Sequence, residues 1–163
     1  MIIAGIDPGI ERVGWGIIDD TPKDMKLIEC GCFKTSSRLD LPQRLQMINE
    51  FLTEVLKKYK PEAVAVEDLF FAANSKTAII VGQARGAILL TISQAKLPLF
   101  SYTPLQVKQA ITGYGRAEKK QIQEMVCLLL KTKKINQDDT ADALGIAITH
   151  AFSYKLHGKL KNK

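Results

Sequence analysis

Ile2-Ile3-Ala4-Gly5-Ile6-Asp7-Pro8-Gly9 is an apolar run that stops on a carboxylate and turns at once. It reads as a buried strand followed by a Pro-Gly turn. A second run, Ala63-Val64-Ala65-Val66, stops in the same way on Glu67. Being apolar on both faces, it reads as a central strand. A carboxylate at the end of a buried strand is costly to desolvate unless a metal or a cationic partner compensates it. Two further acids, Asp139 and Asp142, open the helical stretch Asp142-Ala143-Leu144-Gly145-Ile146-Ala147-Ile148. Spaced i, i+3, they share one helix face. Two strand ends and a helix start can meet at one edge of a sheet, and four carboxylates there would form an oxygen cage for Mg²⁺ or Mn²⁺. Each acid also has an ordinary reading. Asp7 can form the turn, Glu67 can pair with a lysine, and Asp138, Asp139 or Asp142 can cap the helix. Asp68 competes with Glu67 for the strand-end role.

Outward from these runs, the spacing predicts strands over Val13–Ile18 and Leu27–Thr35, with a turn at Asp19-Asp20-Thr21-Pro22 between them. Leu41, Leu45, Ile48, Leu52, Val55 and Leu56 recur at helical spacing until Pro61. Helices are expected over Lys76–Ala95, Pro104–Thr112, Ala117–Lys131 and Asp139–Tyr154, with a short strand at Leu99–Tyr102. The fold class is therefore α/β, a mixed sheet of about five strands flanked by helices. The helix over Lys76–Ala95 is apolar almost all round, with Gly82 and Gly86 four residues apart. One sheet cannot cover so many apolar faces, so a homodimer contact is expected on this helix, with a fully buried helix as the alternative.

The chain has 163 residues, enough for one domain with a proper core, and a formal net charge of +6. Residues 1–102 hold 12 basic and 12 acidic side chains, whereas residues 103–163 hold 11 and 5, so the whole excess sits in the second part. A basic half suits a polyanion, because phosphate contacts release condensed counterions. A solvated lysine tail is the plainer account, since Lys155, Lys159, Lys161 and Lys163 supply four of the eleven. Cys30, Cys32 and Cys127 show no metal spacing, and their odd number suits a reducing compartment. No signal peptide or bilayer-length apolar stretch is visible, so a cytoplasmic location is expected, with no membrane partner.

Ile6-Asp7-Pro8-Gly9, with Gly14-Trp15-Gly16 on the next strand, resembles the opening of the ribonuclease H-like superfamily. Three more blocks narrow the resemblance: Glu67-Asp68-Leu69-Phe70-Phe71, Gly82-Gln83-Ala84-Arg85-Gly86, and Asp139-Thr140-Ala141-Asp142-Ala143-Leu144. Val107-Lys108 and Gly113-Tyr114-Gly115 ahead of Ala117-Glu118-Lys119 fit the same pattern. Together the blocks resemble the RuvC family of bacterial Holliday junction resolvases, in order, from about residue 1 to 156. The resemblance implies a single nuclease domain over 1–156. Residues 157–163 would form a basic tail, expected to lack fixed structure until DNA arrives.

What the family implies is a homodimeric endonuclease that resolves four-way DNA junctions by paired symmetric nicks in opposed strands, in recombination and repair. The metal-binding acids would be Asp7, Glu67, Asp139 and Asp142; some relatives carry a histidine where Asp139 stands. Asp138 is then an extra acid expected to cap the helix. Two Mg²⁺ ions per site, with Mn²⁺ as a substitute, would serve a two-metal hydrolysis. Lys108 and Lys119 would lie near the cut strand, Arg116 would contact DNA, and Phe70 would stack on unpaired bases. Ordinary solvated lysines, and a phenylalanine that caps the core, are the alternatives. The family also implies the branch-migration proteins RuvA and RuvB as partners. Among rivals, an actin-type phosphotransferase needs two such domains. A silent junction binder would be favoured by a missing acid, and a hybrid-cutting nuclease by a monomer.

Overall fold

The computed structural model describes residues 1–68, 75–133, 135 and 137–161, with the side chains of 75–77 and 156–161 outside that description. Its elements, in chain order, are β1 (Ile2–Asp7), β2 (Arg12–Asp20), β3 (Met25–Lys34), α1 (Leu41–Tyr59), β4 (Ala63–Glu67), α2 (Ser75–Gln94), β5 (Leu99–Tyr102), α3 (Pro104–Thr112), α4 (Lys119–Leu129) and α5 (Asp138–Lys161). The strands form one mixed sheet in the order β3-β2-β1-β4-β5. The pair β1–β2 is antiparallel, as is β2–β3, while β4 runs parallel to both β1 and β5. The expected mixed α/β sheet is therefore present, and β4 is interior, as its two apolar faces require.

Alternation along the strands sorts the core into two layers. Ala4, Ile6, Val13, Ile17, Val64 and Val66 face α1 and α2, where they meet Ile48, Leu52, Ile88 and Ile92. Ile3, Ile18 and Ala65 face the other way, toward Val107, Ile111, Val126, Leu144 and Ile148 of α3, α4 and α5. Helix α5 lies nearest the sheet, because the strand residues beneath it are small. A Cβ on Gly5 would collide with the Ala143 carbonyl, one on Gly14 with the Asp139 carbonyl, and one on Gly16 with the Leu144 side chain. Glycine in a strand marks such a close backbone approach.

Local signals set the helix ends. Asp40 accepts from the Gln43 backbone N–H and Gln43 reciprocates, closing a capping box at the start of α1. Thr103 and Gln106 do the same for α3. Several boundaries differ from expectation by one or more residues, and three bear on the site or its helices. Strand β2 runs through Asp20 because Lys155 compensates that buried carboxylate at 2.5 Å, which moves the turn to Thr21–Asp24. Helix α4 begins at Lys119, with Glu118 as its N-cap. Helix α5 continues past Tyr154 to Lys161. All three cysteines are free thiols, and no helix among the described residues is long and apolar enough to cross a membrane.

Candidate active site

Asp7 closes β1 and Glu67 closes β4, two parallel neighbours, so both carboxylates emerge at the same sheet end. Parity then assigns their face. Asp7 follows Ile3 and Gly5, and Glu67 follows Ala63 and Ala65, on the side covered by α5. Opposite Asp7 on β2 stands Gly14, over which the first turn of α5 lies in direct contact. That contact sets Asp139 and Asp142 above the two strand ends.

The four acids sense one another strongly. Asp7 is pushed up to about 8, first by burial and then by the charges of Glu67, Asp142 and Asp139; a hydrogen bond to Glu67 adds to the shift. Burial, followed by Asp142, also raises Glu67, so the Asp7–Glu67 pair holds a proton well above the usual carboxylate range. Burial raises Asp142 too, although Lys119 Nζ stands 3.0 Å from its Oδ2. Lys119 loses charge preference through burial, but its bonds to Asp142 and Asp138 outweigh that loss and raise it overall. Asp139 is held from the other flank, with Arg12 Nη1 3.6 Å and Cys32 Sγ 3.7 Å from its Oδ2.

Asp68 has the opposite parity and turns toward α2, where Arg85 Nη2 pairs with it at 3.0 Å. Arg85 Nε also donates to the Glu67 carbonyl at 3.1 Å, fixing the end of β4. The competition between Glu67 and Asp68 thus resolves by alternation: only Glu67 faces the other acids. Asp138 does not cap α5 from outside. It is the first helical residue, and its carboxylate accepts from Gln123 Nε2 at 2.7 Å and pairs with Lys119 at 3.5 Å.

A cleft of about 220 Å³ opens beside the acids, lined by Glu67, Pro104, Val107, Lys108, Lys119, Ile122 and Asp142. Val107 and Ile111 of α3 pack over Gly145 of α5, which brings Lys108 to the cleft. Arg116 stands exposed in the turn between α3 and α4, with no ion pair to the acids. Phe70 lies outside the described residues. Sequence reading passed over Arg12 and Cys32, although alternation from Gly14 places Arg12 on the α5 face, and Cys32 pairs directly with Gly14.

The donor set is all oxygen and carries more negative charge than Arg12 and Lys119 neutralise, which suits a hard divalent cation. Among the described residues no three Asp, Glu, His or Cys groups are already drawn together enough to enclose an ion. The residues nonetheless fit such an ion in kind.

The family model for crossover junction endodeoxyribonuclease RuvC matches residues 3–150. A crossover junction endodeoxyribonuclease RuvC from Brevibacillus brevis is 52% identical over 152 residues, covering 93% of this chain and 92% of the relative. One from Halothermothrix orenii is 49% identical over 164 residues, covering 100% of this chain and 99% of the relative. Thermus thermophilus RuvC in complex with a Holliday junction substrate superposes with a TM-score of 0.92 at 39% identity, covering 96% of each chain. With a sheet, a family model and full-length relatives in agreement, the chain belongs to the RuvC family of crossover junction endodeoxyribonucleases.

Proposed function

We propose that Asp7, Glu67, Asp139 and Asp142 form the hydrolytic centre at which this Holliday junction resolvase nicks its DNA. The observation that carries the reading is the meeting of four carboxylates from β1, β4 and α5 at one sheet end, beside a cleft carrying Lys108 and Lys119. Two Mg²⁺ ions would be held by the four acids, with Mn²⁺ as a substitute. When bound, such ions supply an activated water and neutralise charge on the attacking and leaving oxygens. Asp7 must give up the proton it shares with Glu67 before all four acids can act as ligands, so ion binding and proton release are linked. Lys119 keeps its charge through Asp142 and Asp138, and is placed to exchange those carboxylates for a phosphate. Lys108 lies on the same cleft wall and takes a neighbouring phosphate; Arg116 contacts DNA further out.

Phe70, three residues beyond Glu67, is proposed to stack on an unpaired base at the crossover. Two centres are needed for paired nicks, and the exposed face of α2 favours a homodimer. Ile79 and Leu90 are 63% and 57% exposed there, and the positions beside Gly82 and Gly86 are open. The domain over 1–156 with its basic tail, the partnership with RuvA and RuvB, and a cytoplasmic location complete the reading.

A labelled synthetic four-way junction, incubated with Mg²⁺, Mn²⁺ or EDTA and mapped on all four strands, tests this. Paired nicks at matching positions on opposed strands, abolished by EDTA and by Asp7→Asn, are expected. Cutting by Asp7→Asn in Mg²⁺ would overturn the assignment of the centre. Cuts confined to the RNA strand of a hybrid control would overturn the substrate.

A further inference from the structure

Resting on that reading, we infer that Arg12 and Lys34 form a second phosphate-binding cleat, which holds the cut strand on the side of the acids opposite Lys108 and Lys119. The two residues are directly paired across β2 and β3, and both are exposed on the face that carries the acids. Arg12 is 61% exposed and reaches Asp139 at 3.6 Å, while Lys34 has no ion pair within 4.0 Å among the described residues. Like charges directly opposite one another in a sheet are unfavourable, and among the described residues Asp139 is the carboxylate that pairs with either cation, with Asp138 acting on Arg12 from farther off. An anion placed over the pair relieves the repulsion, and the DNA backbone is the anion that this site handles.

The order of charges across the sheet end supports the same conclusion. Lys119 pairs with Asp142 of α5, Glu67 and Asp7 close the neighbouring strands β4 and β1 beneath it, and Arg12 on β2 pairs with Asp139 at the far side. Cations therefore bracket the acids, from α3 and α4 on one side and from the β2–β3 edge on the other. A phosphodiester strand crossing the centre meets positive charge before and after the scissile bond. Arg12 has a second consequence: it pairs with Asp139, so its guanidinium would be freed for a phosphate were Asp139 engaged by a bound ion.

The test is junction binding in EDTA between 50 and 200 mM salt, run on wild type, Lys34→Ala, Arg12→Lys and the double variant Arg12→Gln/Lys34→Ala. Phosphate-ethylation interference and Mn²⁺ titration of the DNA-free proteins accompany it. Each lost contact reduces the slope of log K against log salt by about one, so Lys34→Ala loses about one unit and the double variant about two. Arg12→Lys keeps the slope. Interference at phosphates on one side of the cut disappears in the double variant, while those assigned to Lys108 and Lys119 persist. Unchanged slopes and interference in the double variant, with wild type binding and cutting normally, would overturn the cleat and leave the centre intact. An unchanged slope with weaker Mn²⁺ binding would overturn it in favour of a role confined to positioning Asp139. Failure of wild type itself to bind the junction would remove the functional reading beneath both.

Discussion

Replacing Asp7 by Asn should stabilise the metal-free protein while abolishing its cutting. Asp7 in the fold is held near 8 by burial and by Glu67, Asp142 and Asp139, against 3.8 for an unperturbed aspartate. A carboxyl whose folded value is raised binds its proton more tightly in the fold than in the open chain. Its contribution is therefore most favourable below about 4 and is lost progressively as pH rises toward 8. At pH 7 the cost spans roughly three units at about 1.4 kcal/mol each, or about 4 kcal/mol, which is a ceiling because Glu67 shares the proton. Asparagine is neutral at every pH, nearly the same size, and can donate to Glu67 in place of that proton. In a chain of this length a kcal/mol moves Tm by about 2–4 °C, so the variant should melt up to about 16 °C higher at pH 7.

Thermal unfolding in EDTA at pH 4, 5, 6, 7 and 8 reads the difference directly. The two proteins should nearly coincide at pH 4 and diverge steadily above it. Other titrating groups, including Glu67 and Asp142, are common to both proteins and cancel to first order in the difference. With Mg²⁺ present the gap should narrow or reverse, because ion binding stabilises only a competent cage. Equal Tm values across the whole range in EDTA, or a gap that shrinks with rising pH, would refute the crowding of carboxylates around Asp7.

Two glycine substitutions separate the inner and outer surfaces of the fold. Gly14→Ala drives a methyl group into the Asp139 carbonyl under α5. It should cost about 1–3 kcal/mol in denaturant unfolding, and nicking should fall further than stability does because Asp139 and Asp142 move together. Gly86→Ala meets nothing within 4 Å and adds a good helix former, so it should stabilise the monomer by up to about 1 kcal/mol. If α2 is the dimer face, sedimentation of Gly86→Ala should show a weaker dimer than wild type; an unchanged dimer constant would move the contact elsewhere.

The strands and their terminal acids were legible because alternation and apolar runs are local properties. Asp7, Glu67 and the i, i+3 pair Asp139 and Asp142 could each be found without knowing the rest. The choice between Glu67 and Asp68 was legible in principle. Counting by twos from Ala65 puts Glu67 beneath α5, and counting from Val66 puts Asp68 toward Arg85. Knowing which helix covers which face is the missing step, and it depends on pairings between distant segments. The glycines of β1 and β2 show why that step is hard. Gly5, Gly14 and Gly16 look like weak points in two strands until α5 is laid across them, when their missing side chains become the reason the helix fits. Long-range ion pairs were invisible for the same reason. Arg12 and Asp139 are far apart in sequence, as are Asp20 and Lys155, and each pair exists only because α5 returns across β2. One geometric fact, a long helix lying on a glycine floor at the acid-bearing end of the sheet, thus sets the four carboxylates together. It also leaves Arg12 at their edge.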